Sequence, residues 1–71
     1  MKKLQFDNRL EKTLFKNWIY SMFRENCRER RIWGETPYKN PFRYYRKNRD
    51  YLIYEWDKGI KDISLSYAEI S

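Results

Sequence analysis

Three of the four glycine and proline residues in this 71-residue chain fall within eight positions, at Gly34, Pro37 and Pro41. Nothing breaks the backbone before Gly34, and only Gly59 follows Pro41. Because glycine and proline are the strongest punctuators of local structure, the chain divides into two long uninterrupted segments around one turn. In the first segment Leu10, Leu14, Phe15, Trp18, Ile19 and Met22 recur at steps of three and four, which is helical periodicity. Asn8 can cap that helix with Glu11 three residues on, and Asp7 is an equally good cap. Gly34 suits the position just beyond a helix C-terminus. Each proline disfavours helix at the residue before it. Asn40 can then cap a second helix with Pro41 at its first position, where a missing N–H costs nothing.

The second segment places Phe42, Tyr45, Leu52, Ile53, Trp56, Ile60 and Ile63 on one helical face. Arg46–Asp50, Asp57–Lys61 and Lys58–Asp62 add opposite charges at four-residue spacing. The expected fold is all-α, an antiparallel two-helix hairpin in one small domain. Its helices span about 8–32 and 41–62, with a loop over 33–40 and a short tail over 63–71. The alternative is α+β, one long helix followed by a C-terminal β-hairpin. Tyr51 to Trp56 is rich in strand formers, Asp57-Lys58-Gly59 can turn, and residues 63–67 alternate.

Folding the hairpin about residue 37 brings Trp18 near Trp56, Met22 near Ile53 and Leu14 near Ile60. The same geometry brings Glu25 to Arg49 and Glu29 to Arg46, so ion pairs are expected near the loop. Two helices make a thin core for so short a chain. Homodimerisation is therefore a reasonable expectation.

Charge narrows the function. The chain carries 16 Lys or Arg against 10 Asp or Glu, a net of +6. Residues 24–49 hold nine cations and three carboxylates, and the remainder is neutral. Such clustering attracts polyanions. Arginine dominates the cluster, which suits bidentate phosphate contacts. On the second helix Tyr44, Lys47, Tyr51, Tyr54, Lys58 and Lys61 follow alternating three- and four-residue steps. Cations interleaved with rings fit single-stranded RNA, where cations neutralise phosphates and rings stack on unpaired bases. The candidate nucleic-acid-binding residues are Arg28, Arg30, Arg31, Lys39, Arg43, Tyr44, Arg46, Lys47, Tyr51, Tyr54 and Lys58. A solvated face would show the same basic stripe. Aromatic and arginine side chains also anchor protein interfaces, and Trp33, Tyr38 and Phe42 are the candidates for that role.

Other classes recede. The chain has no histidine and a lone cysteine, Cys27. That excludes a disulfide framework within the chain and a Cys/His metal box. Without a phosphate-binding glycine loop or a cleft between two packed helices, no catalysis, metal or cofactor is expected. No apolar run approaches the roughly 20 residues of a membrane span. No signal-peptide pattern opens the chain, so a cytoplasmic location is expected. Abundant Lys, Asn, Ile, Tyr and Phe suit an AT-rich genome such as a bacteriophage's, and the location is then the host cytoplasm.

Asn40-Pro41-Phe42, followed by Trp56-Asp57-Lys58-Gly59-Ile60, resembles the pattern of ribosome modulation factor and its small phage-encoded relatives. The resemblance covers about residues 34–60. It departs at Phe42, where the family has Tyr, and at Ile60, where it has an aromatic. The interval between proline and tryptophan is longer, and the glycines of that family's first helix are missing. The resemblance implies a short, basic, two-helix protein that binds small-subunit ribosomal RNA. The leading functional expectation is a non-enzymatic RNA-binding regulator associated with the ribosome or another RNA complex. The alternative is a small phage-encoded inhibitor that binds a host or defence protein directly.

Overall fold

The computed structural model describes residues 4–70. It is an all-α hairpin, and among the described residues there is no strand. Helix α1 spans Arg9–Ile32, helix α2 Pro41–Glu55 and helix α3 Lys61–Ile70; one π-helical turn, Trp56–Ile60, joins the last two. The β-hairpin alternative is thereby excluded. The expected tail over 63–71 is also corrected, because helix continues through Ile70. Ser71 lies outside the described residues.

The turn forms as its residues dictate. Asn8 Oδ1 accepts the Glu11 N–H at 2.9 Å, and Asn40 Oδ1 accepts the Arg43 N–H at 2.9 Å. Both caps satisfy donors that a helix start leaves free. At the other end of α1, the Glu35 N–H bonds the Arg30 carbonyl at 2.7 Å and the Gly34 N–H bonds that of Arg31 at 3.2 Å. This is a Schellman motif, and it requires the left-handed backbone that Gly34 adopts at φ 74°.

The core is aromatic. Phe15, Ile19, Tyr44, Leu52 and Trp56 are buried together, with Leu14, Trp18, Met22, Phe23 and Tyr45 packed around them. Trp56 meets Phe15 edge-on at 5.1 Å between ring centroids and Trp18 at 5.7 Å, as the hairpin register requires. Edge and tilted contacts of this kind add to what area burial contributes.

Two backbone departures reset which residues face inward. Asn48 has non-helical dihedrals, φ −117° and ψ 19°. Its side-chain amide donates to the Tyr44 carbonyl at 2.9 Å. A side chain competing for a helical carbonyl bends the helix. The first two turns of α2 are therefore rotated relative to the rest. Tyr44, expected on the outer stripe, is buried at 4% exposure, whereas Phe42, expected on the apolar face, is 66% exposed. Further on, the Lys61 N–H reaches back five residues to the Trp56 carbonyl. This π-turn shifts the facing register by one residue. Ser64, Leu65 and Ala68 are partly covered, and Ile63, expected on the buried face, is exposed.

The interhelical ion pair also differs from expectation. Glu11, one of the buried residues, pairs with Lys61 Nζ at 3.8 Å, far from the loop. Among the described residues no ion pair joins Glu29 to Arg46. Arg46 lies over the Phe42 ring at 5.8 Å instead. Arg49 lies 4.0 Å from its neighbour Asp50.

Candidate nucleic-acid interface

The start of α2 combines three sources of positive potential. Its first turn holds no acidic residue, so nothing neutralises the positive end of the helix dipole. Arg43, Arg46 and Lys47 are exposed there. A concave surface lined by Tyr38, Asn40, Phe42, Arg43, Arg46 and Lys47 gathers these groups. Lys39 is exposed just ahead of it.

On either side of the Asn48 kink part of the outer stripe stays exposed. Lys47, Tyr51, Tyr54 and Lys58 are all exposed, with Tyr51 at 54% and Tyr54 at 60%. The Lys58 ammonium sits 5.6 Å from the Tyr54 ring centre, a cation–π contact. The stripe thus places two rings between two lysines over about three helical turns. At its two ends the structure departs from expectation. Tyr44 turns inward onto Phe23 at 6.2 Å and Tyr38 at 5.7 Å, so no base can reach its ring. Lys61 is engaged with Glu11.

Burial disfavours a phenolate, and it raises the Tyr44 pKa above its ordinary 10.0; the charges of Tyr51, Tyr38, Glu29 and Glu25 act in the same direction. Tyr44 is therefore a neutral core residue.

The basic end of α1 divides in the same way. Arg28 and Arg31 are exposed, as are Arg9, Lys12, Lys16 and Arg24 along the helix. Arg30 is not available. Its guanidinium donates to Asn26 Oδ1 at 3.2 Å, the Thr36 carbonyl at 3.2 Å and the Tyr38 hydroxyl at 3.4 Å. It also lies 3.6 Å from a Glu35 carboxylate oxygen and 4.6 Å from the Tyr38 ring centre. Arg30 and Tyr38 brace the loop, and neither serves as the free contact that residue type suggests. Cys27 is buried, with Sγ 4.0 Å from the Tyr38 carbonyl. Of the protein-interface candidates, Trp33 is 78% exposed and Phe42 is open, whereas Tyr38 is half-buried.

One surface escapes a reading of the sequence. An apolar groove runs between the first half of α1, residues 4 and 6, and the start of α2. It is lined by Leu4, Phe6, Phe15, Lys16, Ile19, Tyr20, Pro41, Phe42 and Tyr45. These residues are distant in sequence, and the hairpin brings them together.

Among the described residues no group of three His, Cys, Asp or Glu side chains is placed to hold a metal ion. None of the described helices is long and apolar enough to cross a membrane. No family model, curated protein or solved structure matches the chain. The fold and its surface therefore define a class, an all-α hairpin with a basic aromatic face, and the functional reading rests on that face.

Proposed function

We propose that the protein is a non-enzymatic, RNA-binding regulator acting in the cytoplasm. The observation that carries this is the exposed run Lys47, Tyr51, Tyr54 and Lys58, continuous with Arg43 and Arg46 at the start of α2. In this reading Arg43, Arg46, Lys47 and Lys58 hold phosphates, with Lys39, Arg28 and Arg31 extending the field. Tyr51 and Tyr54 stack on unpaired bases, each worth about 1–3 kcal/mol. The resemblance to ribosome modulation factor makes ribosomal RNA the first target to test.

The test is fluorescence anisotropy with a short single-stranded RNA, titrated across salt. The expected logarithmic slope is about −3, from some four neutralised phosphates. Tyr51→Ala with Tyr54→Ala should weaken binding at least tenfold and leave the slope unchanged. Binding that ignores both rings overturns the stacking role.

The 78% exposure of Trp33 supports a second reading, direct inhibition of a host or defence protein. A large exposed indole is a common interface anchor. Affinity purification with and without nuclease separates the two. A protein retained at near-equal stoichiometry after nuclease, and lost with Trp33→Ala, supports the inhibitor.

A further inference from the structure

The apolar groove and the outer surface of α3 are complementary in charge, and both expose apolar side chains. The groove encloses roughly 490 Å³, within the range of pockets that bury whole ligands. Among the described residues no carboxylate lines it, and Lys16 stands among its lining residues. Phe42 is shared with the neighbouring basic surface that holds Arg43, Arg46 and Lys47. Whatever fills the groove must be apolar and meets cations along its edge.

The outer face of α3 has the opposite character. Ile63 is 56% exposed and Tyr67 72%, and their four-residue spacing places them on one stripe. Asp62 and Glu69, seven residues apart, form a second exposed stripe on the flank of the same helix. Residues 62–71 contain these two carboxylates and no Lys or Arg, within a chain of net charge +6. The π-turn shifts the helical phase ahead of α3, whose partly covered residues are Ser64, Leu65 and Ala68 instead.

We infer that the groove beside Phe42 docks α3 of a second copy of this chain. Ile63 and Tyr67 enter the groove, and Asp62 and Glu69 meet Lys16 and Arg46. Each copy carries both halves, so the exchange can close as a two-fold dimer with two equivalent contacts. Two contacts matter for so small a chain, since stable interfaces bury more than about 1,000 Å² in total. Arg46 is shared with the proposed phosphate contacts, whereas Tyr51, Tyr54 and Lys58 lie outside the groove, so the dimer is tested with nucleic acid removed.

The test is sedimentation equilibrium of the full chain after nuclease treatment, at low salt, from micromolar to several hundred micromolar. A monomer–dimer equilibrium is expected. Asp62→Lys with Glu69→Lys should weaken it at least tenfold, as should Lys16→Glu with Arg46→Glu, each variant keeping the parent circular dichroism. Mixing the two charge-reversed variants should restore a dimer. A chain that stays monomeric throughout overturns the proposal, as does a dimer indifferent to both variants or a mixture that fails to recover. Monomeric protein that binds an unrelated acidic, apolar peptide assigns the groove to another protein and also overturns it.

Discussion

Tyr44 and Tyr51 lie seven residues apart on one helix, near enough for the charge of Tyr51 to act on Tyr44, yet one is buried and the other exposed. Tyr44 is packed among Phe23, Tyr38 and the core, and Tyr51 stands 54% exposed among lysines. Seven residues is almost two full turns, so regular helix would put both rings on one face. The Asn48 kink between them separates the two. Residue type and spacing therefore do not distinguish a structural ring from one available to a ligand. The local backbone path does.

The largest effect that sharpens this contrast is on stability. Replacing Tyr44 by Ala should cost about 3 kcal/mol or more, as large aromatic truncations in cores do. Tyr51→Ala should stay within about 0.5 kcal/mol, the usual range for surface substitutions. Urea denaturation followed by circular dichroism measures both. Equal costs would break the contrast. Alkaline titration tests Tyr44 by another route. The folded pKa of Tyr44 lies above its ordinary value, so its contribution is fully present below about pH 10. That contribution falls as pH rises past that point toward the folded pKa, because the unfolded chain then releases the proton more readily. Tyr44→Phe should remove this part of the alkaline destabilisation, read by denaturation across pH.

A smaller effect separates two arginines of the basic segment. Arg30→Ala removes the loop brace and should cost about 1–2 kcal/mol, given several partly exposed polar contacts. Arg43→Ala should leave stability unchanged and reduce the salt dependence of RNA binding by about one phosphate. The smallest effect concerns the π-turn. A Cβ at Gly59 meets no atom within 4 Å, so Gly59→Ala should stabilise the protein by up to about 1 kcal/mol. A destabilised Gly59→Ala variant, read by the same denaturation, would show that the turn itself needs glycine.

Much of the fold was legible in particular residues. Asn8 and Asn40 cap the two helices, and Gly34 closes α1. The meeting of Trp18 and Trp56 follows from the hairpin register. The candidate site was legible in part. Arg43, Arg46, Lys47, Tyr51, Tyr54 and Lys58 are exposed, as contact residues must be. Arg30, Tyr38 and Tyr44 are not, and the groove beside Phe42 had no signature in sequence.

The division has a physical basis. Caps, breakers and a periodic apolar stripe act over a few residues, so element order and the hairpin topology are local consequences of the chain. Which face of α2 and α3 turns inward depends on accumulated helical phase. One non-helical residue at Asn48 and one wide turn at Trp56–Ile60 each change that phase. Their effect emerges only when the aromatic core of Phe15, Tyr44 and Trp56 closes against α1. That closure decided which rings and arginines became structure and which were left for a partner.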